Sequence, residues 1–189
     1  MQTSTRIPYD ASIQINVGRG CNLNCAYCLL RPVRRVRFLP ELSTFIRESI
    51  NEIVFRLRKN REPDLQTQGI DADRFLQTLE ETGKTFLVQF TGGEPFLTRG
   101  LVDTSLRIAE RHYLGFTTNL TPASVKDFIR RISPSRVRFI LASAHVEECR
   151  RRGLLETYVE NFIACREKGF PIVADVVAYP GYFDDIPEY

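Results

Sequence analysis

The sequence predicts an α/β protein in which five parallel strands alternate with helices, and one extra helix follows the first strand. Three observations carry this. Short strand-like apolar runs recur between longer runs of helical period. Glycine and proline punctuate the junctions. The residue types that carry chemistry fall just past the C-terminal ends of the predicted strands, where parallel α/β folds build their sites.

Taken in order, residues 12–17 (S-I-Q-I-N-V) alternate with period two and form the first strand. A cysteine-bearing loop, 18–30, follows. Residues 40–59 place Leu42, Phe45, Ile46, Ile50, Ile53, Val54 and Leu57 at helical spacing, and a polar connector over 60–69 ends that segment. A second helix runs over 71–82 and stops at Gly83, a C′ glycine. The second strand, 85–91 (T-F-L-V-Q-F-T), leads directly into Gly92-Gly93-Glu94-Pro95.

A helix over 99–112 precedes a third strand at 114–120. Thr121 and Pro122 then open the next helix, the threonine as cap and the proline in the first turn. The fourth strand covers 137–143. A helix over 154–168 shows an apolar face of Leu155, Tyr158, Val159, Phe162 and Ile163. The fifth strand, 172–178, is nearly all apolar, as expected of a strand covered on both faces. Repeated β-α units with right-handed crossovers suit either an open doubly wound sheet or a barrel.

At 189 residues, 43% hydrophobic and 26% charged, the chain has the composition of a soluble globular domain. The first residues hold no apolar run of signal-peptide length, and no stretch approaches a membrane span, so the reducing cytoplasm is the expected compartment. A formal charge of +3 does not indicate nucleic acid, although all but four of the 26 basic residues are arginine. Arg31, Arg34, Arg35 and Arg37 bunch just after the cysteine loop. They read either as a solvated basic loop or as a fork for an anionic ligand or substrate tail.

The run Gly20-Cys21-Asn22-Leu23-Asn24-Cys25-Ala26-Tyr27-Cys28 has the spacing C-x3-C-x2-C. Three thiols this close, in a loop loosened by Gly18 and Gly20, wrap around one iron–sulfur cubane, which takes one thiolate on each iron it anchors. Three ligands leave the fourth iron open. Structural zinc wants four ligands, and the remaining candidates, Cys149, Cys165, His112 and His145, lie far off in sequence.

With this spacing, an aromatic residue just before the third cysteine and Gly92-Gly93-Glu94-Pro95 after the second strand, residues 12–180 resemble the radical S-adenosylmethionine (radical SAM) superfamily. The resemblance implies a partial (β/α) TIM-type barrel and a single core domain over residues 1–189. That core is expected to be truncated at its C-terminus, where residues 184–189 begin a helix that does not finish. It implies a [4Fe–4S] cluster on Cys21, Cys25 and Cys28, with S-adenosyl-L-methionine chelating the open iron. Reductive cleavage then gives a 5′-deoxyadenosyl radical that abstracts hydrogen from a substrate, a peptide or a small molecule. A flavodoxin or ferredoxin is the implied electron donor. A cluster-bearing sensor or scaffold without turnover is the rival reading, against which the methionyl-binding motif argues.

The same resemblance assigns the methionyl amino group to Gly92, Gly93 and Glu94, and the neighbourhood of the adenine to Tyr27. Ser143 matches a position that meets the methionyl carboxylate or ribose, or else satisfies local backbone. Asn119 sits similarly at the third strand, where a turn role competes with cofactor contact. His145 reads as a ligand contact or as a polar rim residue, and His112 as a helix-end residue favoured by the dipole. Cys165 reads as a core thiol, and Cys149, beside Arg150, Arg151 and Arg152, as a surface cysteine without a role or else a reactive thiol.

Overall fold

Alternation of side chains builds the first strand: in β1 (Ala11–Asn16), half-buried Ala11, Ile13 and Ile15 alternate with exposed Ser12, Gln14 and Asn16. β2 (Phe86–Thr91) and β3 (Tyr113–Thr118) are buried along most of their length, matching their near-continuous apolar sequence. β4 (Val137–Ser143) and β5 (Ile172–Asp175) complete a sheet that is parallel throughout, in the order β1-β2-β3-β4-β5. A doubly wound sheet reverses its strand order partway; this one never does. The described residues therefore form a five-stranded arc of a (β/α) TIM-type barrel. The computed structural model describes residues 7–25, 27–28 and 69–177. The expected helix at 40–59, the arginine cluster at 31–37 and the helix start at 184–189 lie outside the described residues.

α1 (Ala72–Glu81) starts on Asp71, whose carboxylate accepts from Arg74 N at 3.1 Å, and ends before Gly83 in the left-handed region. α2 (Leu101–Arg111) and α3 (Ser124–Arg131) follow β2 and β3. α4 (Val146–Arg151) and α5 (Leu155–Lys168) both follow β4. Among the described residues, no helix is long and apolar enough to cross a membrane. The core is aromatic. Phe116 lies 5.5 Å from Phe90 and 5.0 Å from Phe128 between ring centroids, with Phe96 and Phe170 extending the stack. This core packs β2 and β3 against α3.

Several expectations change. α4 adds a helix that the sequence pattern does not predict, because its six residues carry no apolar period. Thr121 does not cap the helix after β3: α3 begins at Ser124 without a side-chain cap, and the Thr121 hydroxyl donates instead to Asn119 Oδ1 at 2.7 Å. β3 ends at Thr118 because the chain leaves the sheet there. Leu120 takes a left-handed φ of 55°, and its carbonyl accepts from Asn161 Nδ2 at 2.7 Å. The buried side of α5 is Tyr158, Asn161 and Cys165, while Val159 and Ile163 face outward. β5 is short, and Val173 is 62% exposed, so the expected cover on both faces is not found among the described residues. Among those residues, this strand pairs with β4 on one side only.

Candidate active site

The cysteine loop leaves β1 through Val17, whose N–H still donates to Thr91 O, and then runs beside the turn that follows β2. Gly93 N donates to Gly18 O at 2.8 Å and Glu94 N to Gly20 O at 2.7 Å, so the two segments are hydrogen-bonded edge to edge. Their closeness explains both glycines. A Cβ on Gly93 would sit 2.1 Å from Gly20 O, and one on Gly92 would meet Asn16 Oδ1 at 2.6 Å with φ at +124°.

Glu94 follows and is completely enclosed. Its Oε1 accepts from Phe96 N (3.0 Å) and the Thr118 hydroxyl (2.7 Å), and its Oε2 from Asn119 N (2.7 Å). One carboxylate thus caps the turn Pro95–Leu97 and ties it to the end of β3. Burial pushes the carboxyl up from 4.5 to about 7, against the opposing pull of these donors.

Asn119 bridges onward. Its Oδ1 accepts from Thr121 N, and its Nδ2 donates to Asn22 Oδ1 at 3.0 Å and approaches Cys21 Sγ at 3.8 Å. Asn22 in turn donates to Thr121 Oγ1 at 2.7 Å. The turn role expected for Asn119 is filled, and the same side chain also reaches the cysteine loop.

On the other side of the loop, the Tyr27 hydroxyl and His145 Nδ1 lie 2.7 Å apart, with ring centroids at 5.7 Å. His145 stands between β4 and α4, and burial lowers its pKa from 6.5, favouring the neutral ring. Ser143 ends β4 nearby. Cys21, Cys25, Cys28, Tyr27, Gly92, Gly93, Glu94, Asn119, Ser143 and His145 all line one cavity of about 340 Å³. The residues that the sequence marks as candidates for cofactor or metal contact lie together in that wall, joined by Arg19, Leu23, Thr117, Thr118 and Val177.

The thiols suit a cluster by their chemistry. Burial raises the Cys25 thiol far above its ordinary range, and Cys21, Glu148 and Cys28 add to the effect. Left to itself this sulfur stays protonated, and a bound metal would supply the positive charge that makes it a thiolate. Among the described residues, no three Cys, His, Asp or Glu side chains converge tightly enough to hold a single metal ion. A cubane spreads its three thiolates over three irons and does not need such a trio.

Two residues that look incidental in the sequence prove otherwise. Cys149 is not a surface cysteine: it is fully buried and packs with Leu23 and Cys25 beneath the loop. Burial also pushes its thiol up to about 11, despite three arginines following it in sequence. His112 is buried, its pKa lowered by that burial, and its Nδ1 accepts from Phe86 N at 3.2 Å, so it serves the β2 backbone rather than the helix dipole. Cys165 is a core thiol, as expected.

Glu148 and Thr118 escape sequence reasoning. Thr118 is visible there only as a residue near the end of a strand. Glu148 leaves a faint signal, a carboxylate with arginines three and four residues on, the spacing of paired charges on a helix.

Comparison with known proteins adds three findings. No curated protein matches the chain. Among solved structures, a tagged anSMEcpe with bound AdoMet superposes over 93% of this chain with a TM-score of 0.58, at 15% identity. The chain spans 44% of that protein's length, and likeness at this identity concerns the fold. The family model described as the radical SAM superfamily matches residues 15–188, and the chain accordingly belongs to the radical SAM superfamily.

Proposed function

We propose that this chain is the core of a radical SAM enzyme that binds a [4Fe–4S] cluster through Cys21, Cys25 and Cys28 and S-adenosylmethionine beside it. The observation that carries this is the meeting of the three thiols with the Gly92–Glu94 segment in the wall of one cavity. A cavity of this size is on the scale of small-molecule sites. The solved neighbour with bound AdoMet supports the same assignment.

When bound, such a cluster supplies the electron that cleaves S-adenosylmethionine reductively and releases a 5′-deoxyadenosyl radical for hydrogen abstraction. The chain's own residues supply the rest. Gly92 and Gly93 bring backbone close to the loop without side-chain obstruction, leaving that edge of the cavity for the methionyl ammonium. Glu94, enclosed and triply hydrogen-bonded, holds the turn in shape and contributes negative charge behind it. Ser143 and His145, on the β4 side of the cavity, suit the carboxylate or ribose. Tyr27 faces His145 and fixes that edge. The substrate is a peptide or small molecule, and a flavodoxin or ferredoxin serves as electron donor.

Anaerobic reconstitution followed by reduction with S-adenosylmethionine present tests this reading. One [4Fe–4S] cluster per chain and release of 5′-deoxyadenosine are the expected results. A full cluster with no cleavage would instead favour the non-catalytic sensor.

A further inference from the structure

Within the loop that carries the cysteines, Cys28 N donates to Cys25 O, and Leu23 N approaches Cys21 Sγ at 3.4 Å. Its middle is also held from a distant part of the chain. Asn24 N, the backbone group immediately before the second cysteine, donates to Glu148 Oε1 at 2.9 Å across 124 residues of sequence. Glu148 lies in α4, with a side chain only 8% exposed. A buried carboxylate must be compensated. Arg151 supplies two hydrogen bonds, to Oε2 at 3.0 Å and Oε1 at 2.8 Å, and Arg152 reaches Oε1 at 2.5 Å. The next residue, Cys149, presses its buried side chain against Leu23 and Cys25. The same short helix therefore grips the loop twice, once by a charged acceptor and once by packing.

From this geometry we infer that Glu148 is a positioning residue for the cluster: through Asn24 N it holds the loop so that Cys25 stands ready to ligate, with Arg151 and Arg152 fixing the orientation of its carboxylate. The inference rests on the proposed cluster function and deepens it by naming what presents the middle ligand. Oε1 accepts from the loop at Asn24 N and from Arg151 and Arg152 as well, so it is substitution that tests its reach apart from its charge.

The test uses the reconstituted full chain with three substitutions. Glu148→Ala removes acceptor and charge. Glu148→Asp keeps the charge but withdraws the acceptor by one methylene. Glu148→Gln keeps an acceptor of full reach. Two readouts are needed: the rate of cluster loss to an iron chelator, followed by visible absorption, and amide hydrogen exchange of the peptide containing residues 21–28 against peptides from β2 and β3.

Loss of a buried hydrogen bond to a charged group predicts cluster release about tenfold faster in Glu148→Ala and Glu148→Asp, with Glu148→Gln within about threefold of wild type. Exchange should rise at 21–28 and stay unchanged in β2 and β3. Unchanged release, or exchange rising equally throughout the sheet, would overturn the positioning role, since a merely structural residue loosens the whole fold. Should Glu148→Ala fail to fold, Glu148→Asp decides the matter by the same two readouts. A wild-type chain that takes up no cluster would sink the functional reading itself, and would do so before any variant was compared.

Discussion

The two segments that meet along one edge of the cavity are built in opposite ways. The Gly92–Glu94 turn anchors itself through one side chain: glycines permit its close approach, and the enclosed Glu94 carboxylate accepts from Phe96 N within the turn and from Thr118 and Asn119 at the end of β3. The cysteine loop is held from outside, by Glu94 N and Gly93 N on one edge, Asn119 and Thr121 on another, and Glu148 beneath. The difference follows from what each segment presents. A turn that offers backbone can use its own polar side chain to reach a neighbouring strand. A loop that must aim three sulfurs inward has few side chains left for its own support, and borrows it from β3 and α4.

Replacing Cys21, Cys25 or Cys28 by alanine breaks the comparison most severely, because it removes the purpose of the borrowed scaffold. Each variant should lose nearly all cluster, read by iron and sulfide analysis with Mössbauer spectra. Retention of a full cluster in any of them would displace the ligand assignment. The fold should survive, since the aromatic core lies away from the thiols.

Gly93→Ala attacks the seam between the two segments. Its Cβ meets backbone rather than a yielding side chain, with Gly20 O at 2.1 Å. The segments must part, at a cost on the order of 3 kcal/mol or more in urea unfolding. A change below about 1 kcal/mol would show that the seam is soft.

Glu94→Gln asks how self-contained the turn is. The amide offers one acceptor where the carboxylate offers two, and directs an N–H toward a backbone N–H. About 2 kcal/mol of stability should be lost. S-adenosylmethionine affinity, measured on reconstituted protein above about pH 7 where the carboxylate is charged, should fall roughly tenfold as the ammonium loses the charge behind it. The pH dependence sharpens this further. Because the folded carboxyl titrates near 7 rather than 4.5, the folded state binds the proton more tightly than the unfolded state. Glu94 therefore favours folding below about 4.5, and that contribution is lost as pH rises toward about 7, a change on the order of 1–3 kcal/mol. Unfolding of the metal-free chain at about pH 5 and about pH 7.5 should show this slope in wild type and a flatter one in Glu94→Gln. Parallel slopes would refute it.

Tyr27→Phe is the mildest of the set. It removes the hydroxyl from His145 Nδ1 while keeping the ring, and should cost about 1 kcal/mol, read as a small shift in unfolding midpoint. A cluster that loads normally in this variant would confirm that the Tyr27 hydroxyl braces the rim of the cavity and not the thiols.

Much of the site is legible in the sequence because its signals are local. The cysteine spacing, the paired glycines and the positions just after strands are contained within a few neighbouring residues. Glu148 is not legible in this way. A carboxylate among arginines on a short helix has the sequence of a solvated charge pair, and only the packing of α4 against the loop buries it. Cys149 misleads for the same reason, since arginines follow it in sequence while Leu23 and Cys25 pack against it in space.

The division between sequence and tertiary structure is physical. Period-two and helical patterns determined the alternation of strands and helices, because side-chain direction along a strand or helix is set by backbone geometry alone. Ligand type and spacing determined the cluster chemistry to expect, because thiols within one short loop meet whatever else the chain does. Strand order, the approach of Gly93 to Gly20, the three donors on Glu94 and the reach of Glu148 to Asn24 were decided only in the folded chain. Each of these joins residues whose meeting depends on how the β-α units wind upon one another, and no local pattern encodes that winding.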